Sequence, residues 1–253
     1  MNEPQDKTSM LYWYPLIKDL PIPQPRTLFV MLNEKELESL YNEAVPESVT
    51  EKVKCVCDTI FYPCFLRTDL ASGKHNWKKT CFIDGKTPLW EHILKIVEFN
   101  LCADIFGLLF KAFVVREYIP MDSRFTAFYG DMPVNPERRY FIKDGKVVCH
   151  HPYWIEEAIE ESKPPSDPNW RRQVSDLNYE SDLEIDFLTD YALLVAEKLE
   201  GSWSVDFCKA KDGRWILIDL AIANRSWHPE NCPRLVQNQQ SFQLHQNERE
   251  KQK

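Results

Sequence analysis

Two aspartates in this sequence fall where a cation would be needed to hold them together. Trp203 to Lys211, the dipeptide Asp212-Gly213 and Arg214 to Ala221 read as two alternating strands around a hairpin turn. Counting outward from a two-residue turn sets Asp206 directly opposite Asp219, with Cβ atoms about 4.5–5.5 Å apart. Their shared face would otherwise carry Cys208, Ala210, Trp215 and Leu217. Two like charges beside apolar groups are destabilising unless one is protonated or a cation sits between them. Hard carboxylate oxygens with an otherwise open shell suit Mg²⁺ holding nucleotide phosphates better than they suit zinc. A solvated hairpin end, or a slipped register, would leave the same two residues without a metal.

A second Asp-Gly hairpin runs from Arg138 to Lys143, turns at Asp144-Gly145 and returns through Lys146 to Cys149. The same counting puts Arg139 opposite His150, on the face that also carries Phe141 and Val148. A third segment, Phe65 to Trp77, delivers Arg67 on a strand and then presents Ser72, the Gly73 backbone, Lys74 and His75 in a short polar loop. Fixed positive charge with hydroxyl and amide donors would suit a phosphate. An ordinary strand-end loop with a solvated lysine is the plain alternative.

These pieces need a scaffold. At 253 residues and 29.9 kDa, the chain fits one domain of two lobes or two small domains. Apolar residues at 43% supply a core. Asn33 and Glu36 read as a capping pair opening a helix to about Ala44, and Cys55 to Thr68 should contain a strand. A helix starts at Thr87-Pro88 and carries Leu89, Ile93, Leu94, Val97 and Leu101 at helical spacing. Ala112 to Ile119 reads as a buried strand and Phe187 to Leu199 as an amphipathic helix ended by Gly201. Residues 1–32, with Trp13-Tyr14-Pro15 and the Pro23/Pro25 run, read as an extended segment. Lys163 to Asp182 reads as a long surface loop, long enough for a lid, and Gln237 to Lys253 as a disordered tail.

Composition removes several classes. Seven glycines in 253 residues are under half the usual ~7%. No G-x-G-x-x-G occurs, and Thr80 stands where a P-loop ending at Gly85-Lys86-Thr87 needs its first glycine. Rossmann and P-loop folds are therefore set aside. Lys and Arg total 31 against 39 Asp and Glu, a net charge of −8, so neither a nucleic-acid coat nor an anionic membrane is expected as partner. Met1 to Ser9 has no apolar signal core, and Leu101 to Val115 is interrupted by Asp104 and Lys111, so a cytoplasmic location is expected. Eight scattered cysteines, with no second pair to match Cys55-Val56-Cys57, read as reduced thiols.

Taken in order, the stretches FLRTDLASGKHNWKKT (65–80), FVVREYIP (113–120), PERRYFIKDGKVV (136–148) and SVDFCKAKDGRWILIDL (204–220) resemble the ATP-grasp superfamily. The resemblance is strongest to its atypical branch, which includes the cell-division-cycle proteins that assist assembly of translation initiation factor two. It implies an α+β fold in which two lobes of antiparallel sheet with helices clasp ATP. The expected division is an N-terminal segment and helix (1–50), an N-lobe (51–115), a C-lobe (116–236) and the tail (237–253). The resemblance places Arg67 on the α/β phosphates and Lys74 as the phosphate-loop lysine, with Ser72 and Gly73 beside it. Glu117, Tyr118 and Ile119 match the adenine-binding segment between lobes. Glu137 and Arg139 match an acid and arginine pair, the arginine near the transferring γ-phosphate. Asp206 and Asp219 match the Mg²⁺-binding acids. One departure stands out: Ala221 occupies the position of a further metal-binding Asn, for which Asn224 or His228 could substitute.

The resemblance implies an ADP-forming ligase that activates a carboxylate as an acyl phosphate for an amine or similar nucleophile. Arg139 and Lys74 would be its catalytic residues, and Arg225 or His228 would meet the acceptor. Arg124, Arg138, His150 and His151 are further anion-binding candidates. The cell-division-cycle branch implies instead an ATP-binding assembly factor for a protein partner, without small-molecule turnover. An α+β interaction domain with a fortuitous acid pair is the third reading. The sequence contains no convincing Ser-His-Asp or Cys-His catalytic set, which neither of the first two readings requires.

Overall fold

The computed structural model describes residues 6–103, 109–162, 165–229 and 232; the tail expected from 237 to 253 lies outside them. A first antiparallel sheet is built from β1 (Thr27–Met31), β2 (Cys64–Thr68), β3 (Phe82–Ile83) and β4 (Ala112–Glu117), in the order β1-β4-β2-β3. After an N-terminal helix α1 (Met10–Ile17), the helices α2 (Glu34–Tyr41), α3 (Glu47–Ile60) and α4 (Leu89–Cys102) pack on this sheet. They bury Leu40, Val53, Ile93 and Val97 against Leu66 and Val115. The start of α2 is fixed by the sequence. The Asn33 side chain accepts from the Glu36 N–H, and the Glu36 carboxylate accepts from the Asn33 N–H, both at 3.0 Å. Cys55 to Ile60, expected to approach a strand, instead complete α3; the strand begins only at Cys64.

A small ribbon of β5 (Phe125–Ala127) and β6 (Met132–Val134), joined by the turn α5 (Phe128–Asp131), leads into the second lobe. That lobe is a four-stranded antiparallel sheet of β7 (Glu137–Lys143), β8 (Lys146–Pro152), β9 (Ser202–Lys209) and β10 (Trp215–Ile222), in the order β10-β9-β7-β8. Helix α1 and a long helix α8 (Asp182–Ala196) cover its outer face, burying Trp13, Ile17, Leu188 and Val195 on Trp203, Phe207, Trp215 and Leu217. Each such side chain contributes about 1.5–3 kcal/mol on burial, so this face of the sheet is fixed as core and the other is left to line the cleft.

Helix α1 corrects the extended reading of residues 1–32. Ser9 caps it, and Pro15 stands near its end, where a missing N–H costs a single bond. Residues 163–182 are corrected as well. Between α6 (Glu156–Ser162) and α8 lies α7 (Trp170–Asn178), which buries Trp170, Val174 and Leu177 on the β5–β6 ribbon. Three prolines and many charges hid an i, i+4, i+7 stripe. No described helix is long and apolar enough to cross a membrane.

Candidate functional site: a cleft between the two sheets

The cleft face of the second sheet carries the acids, and two irregularities set which acids these are. The β9–β10 connection is a three-residue loop, 211–213, closed by Ala210 N–H to the Arg214 carbonyl at 2.8 Å, with Gly213 at φ +89°. This pairs Lys209 with Trp215 and would offset every later pair by one. A bulge at Ile218 restores the offset, so Asp206 and Asp219 do face each other. The loop and the bulge shift Trp215 and Leu217 to the opposite face, where they join the core rather than the acids.

In the β7–β8 hairpin the two-residue turn forms as expected, with Asp144 at φ +48° and Gly145 at φ +78°. A bulge between Ile142 and Phe141 then shifts the partners. Arg139 faces His151, and His150 faces Tyr140, which corrects the expected Arg139–His150 pair. His150 bonds Glu180 through Nδ1 at 3.0 Å and stacks on Tyr140, away from the acids.

Across the other edge of β7, Arg139 lies directly opposite Asp206. Its Nε and Nη2 donate to the two Asp206 oxygens at 2.8 and 2.7 Å, a buried bidentate pair. Burial alone would lower the Arg139 pKa, but Asp206 outweighs it and holds the guanidinium charged. Asp219 is half-exposed and is met from the first sheet by Arg67 Nη1 at 3.0 Å. The ion pair therefore spans the lobes. Arg116 spans them too, donating through Nη1 to the Ile218 carbonyl that the bulge turns out of the ladder, and through Nε to Thr27 Oγ1 at 3.2 Å. Burial, with Arg67 nearby, pulls Arg116 down to about 10, still cationic at neutral pH.

Gly73, at φ +60°, opens a single 3-10 turn, Lys74–Asn76, and a Cβ there would stand 3.3 Å from the Phe99 ring. Lys74 leans over the Tyr153 ring, 4.3 Å from its centroid, and lies 3.5 Å from Glu137 Oε1. Burial opposes its charge, yet Glu137, Tyr153 and Asp206 together raise its pKa. Glu137 is fully enclosed: burial pushes it up to about 7, Lys74 and Arg139 pull it back, and Asp206 adds to the rise. Beyond the long Lys74 ion pair, its Oε1 is buried without a hydrogen-bond donor. Cys208, on the same face, is held as a thiol by burial with Glu137 close by.

All of these groups line one cavity of about 560 Å³. Arg67, Ser72, Gly73, Lys74, Glu117, Tyr118, Ile119, Glu137, Arg139, Asp206, Asp219 and Arg225 are brought together there. Sequence reasoning missed Arg116 and Tyr153. An arginine inside the apolar run Phe113 to Glu117 was the available signal for the first; Tyr153 offered none. The Glu117 carboxylate turns away, accepting from the Arg26 N–H at 3.2 Å. Arg225 reaches the cavity while also bonding Thr8. His228 is not among the cavity residues; its Nε2 lies 3.0 Å from Cys149 Sγ. Asn224 is exposed in the 3-10 turn after β10 and is also outside the cavity lining.

Asp206, Asp219 and the orphaned Glu137 oxygen are hard donors facing one cavity, a set that fits Mg²⁺. The arginines now paired with the two aspartates supply the counter-charge that a cation would replace.

Solved structures with this arrangement define an ATP-grasp fold. Cdc123 from Schizosaccharomyces pombe superposes with a TM-score of 0.54 at 14% identity, covering 85% of this chain and 82% of that one. An N5-carboxyaminoimidazole synthase from Aspergillus clavatus, solved with ADP and 5-aminoimidazole ribonucleotide, gives 0.47 at 11% identity, over 85% and 43%. A search of curated protein sequences finds no match. Residues 52–239 match the model of an ATP-grasp domain family, the third of its clade, and the chain belongs to that family. It is thus an ATP-binding ATP-grasp protein.

Proposed function

We propose that the protein is a Mg-ATP-dependent, ADP-forming ligase that activates a carboxylate. The reading rests on the convergence of Arg67, Lys74, Arg116 and Arg139 with two facing aspartates in one interlobe cavity. Tyr118 and Ile119 would receive adenine at the strand end, where Tyr118 packs edge-on against Phe82. Bound Mg²⁺ would neutralise phosphate charge. Asp206 and Asp219 would exchange their arginine partners for that cation, and Arg139 and Arg67 would pass to phosphate oxygens. The substrate carboxylate oxygen would attack the γ-phosphorus as its bond to the β-bridging oxygen breaks, releasing ADP. An amine would then displace phosphate from the acyl phosphate. Such a transfer needs positioning and charge neutralisation rather than a side-chain nucleophile, in keeping with a Cys208 kept protonated.

A second reading, an ATP-binding assembly factor for a protein partner, is favoured by Ala221 at the position of a third metal ligand and by an Asn224 that does not reach the cavity. Incubation with Mg-ATP, alone and with mixed amino acids or peptides, separates the two. The ligase releases ADP when its acceptor is present. Tight ATP binding without ADP under every condition would sink the ligase reading and leave the assembly factor. A melting temperature that Mg-ATP does not raise would sink both.

A further inference from the structure

A cluster outside the ATP cleft has the composition of a different metal site. Cys149 of β8 and the two residues His228 and Cys232 after β10 bring their Sγ, Nε2 and Sγ atoms within 4.8 Å of one another. Both cysteines are buried and His228 is half-buried. The Cys149 Sγ and His228 Nε2 are already 3.0 Å apart. Tetrahedral zinc, with bonds of about 2.0–2.3 Å, needs donor separations of roughly 3.5–3.8 Å, so small side-chain movements suffice.

The histidine is prepared for this role. Its Nδ1–H donates to the Pro229 carbonyl at 2.9 Å, which fixes the tautomer and leaves the Nε2 lone pair facing the thiol. A backbone carbonyl on the outer nitrogen is the usual support for a ligating imidazole. His151, two residues along the same strand face from Cys149, repeats the pattern. Its Nδ1–H donates to the Pro152 carbonyl at 2.7 Å, and its Nε2 is buried without a partner. Its ring stands 5.4 Å from that of His228.

We infer that Cys149, His228 and Cys232 form a binding site for a soft divalent cation, zinc by preference, separate from the hard-oxygen Mg²⁺ site. Two thiolates and an imidazole select zinc over magnesium. Binding releases the two thiol protons to solvent and forms two Zn–S bonds and one Zn–N bond, with the fourth position open to water or to His151. The ion ties the segment after β10 to the edge strand β8. That segment includes Trp227, whose carbonyl accepts from Arg139 Nη1 at 3.4 Å. Zinc would therefore steady one support of the arginine that also holds Asp206.

The test uses the full chain, purified under reducing conditions without chelator. Elemental analysis should find one zinc per chain. Anaerobic titration of metal-stripped protein with Co²⁺ should give intense tetrahedral ligand-field bands and a thiolate charge-transfer band that saturate at one equivalent. Cys149→Ser, Cys232→Ser and His228→Ala should each lose them, while exposed Cys55→Ser and the cleft variant Asp206→Asn keep them. The wild-type titration needs no variant to fold. Weak octahedral cobalt bands with no stoichiometric metal would overturn the assignment, as would a Cys149–Cys232 disulfide in the reduced preparation.

Discussion

The two Asp-Gly hairpins of the second sheet look alike in sequence and depart from regularity in different ways. In β7–β8 the turn is regular and a bulge shifts the partners, so that His151 rather than His150 stands opposite Arg139. In β9–β10 the turn has one residue more than two, and the bulge at Ile218 cancels the shift, restoring Asp206 opposite Asp219. Counting from the turn thus succeeded where two departures offset each other and failed where one acted alone. The irregularities also differ in use. The Ile218 carbonyl, freed from the ladder, takes Arg116, whereas the β7–β8 bulge redirects two histidines.

The acid pair offers the sharpest way to break this comparison. Asp206→Asn leaves Arg139 buried without its carboxylate and should cost about 3–5 kcal/mol in denaturant melts. Asp219→Asn, at a side chain 36% exposed, should cost under about 1 kcal/mol. Both should remove the Mg²⁺ dependence of ATP binding, read by titration calorimetry. An Asp206→Asn protein as stable as the Asp219→Asn one would contradict the buried bidentate pair.

Deleting Ile218 should preserve the facing aspartates but withdraw the acceptor of Arg116, at a cost of about 1.5–3 kcal/mol. Deleting Val148, the extra residue of the other bulge, frees no such cation and should cost less. Equal losses in melting experiments would show that the Arg116 bond contributes nothing.

Glu137 gives a pH signature. Its folded pKa, raised to about 7 by burial, lies above the ordinary value. The folded protein therefore binds the proton more tightly than the unfolded chain. The associated stability is present at low pH and fades as pH rises from about 4.5 toward 7. The melting temperature of wild type relative to Glu137→Gln should fall across that window; a flat difference would mean that Glu137 is ionised throughout.

The smallest expected effect tests the departure at Ala221. It lies two residues beyond Asp219 on the same strand, so Ala221→Asn adds an oxygen on the same face. We expect Mg²⁺ affinity in the presence of ATP to rise by a few fold, about 1 kcal/mol, comparable to one hydrogen-bonding oxygen. No gain would indicate that Ala221 does not face the metal.

Much of the cleft was legible because its chemistry is carried by short, ordered stretches. Arg67 to Lys74, Glu117 to Ile119, Glu137 to Arg139 and the facing aspartates all line one cavity. What stayed hidden depended on neighbours distant in the chain. Trp170, Val174 and Leu177 form a helical stripe only once the ribbon supplies a surface to bury it. Tyr153 becomes a platform for Lys74 and Arg139 through ring contacts of 4.3 and 4.6 Å. Cys149 and His228 are 79 positions apart and showed no ligand spacing.

By itself the sequence determined the elements whose signals are local: the Asn33–Glu36 cap, the two hairpin turns, and the charged residues that the strands must carry to one face. Tertiary structure decided which charges neutralise one another. Arg67 meets Asp219 and Arg116 meets Ile218 only across two sheets, and Arg139 takes Asp206 because β7 and β9 are neighbours. The physical reason lies in the range of each effect. Turn and cap energetics act within a few residues, whereas a buried charge must find its partner wherever packing brings one.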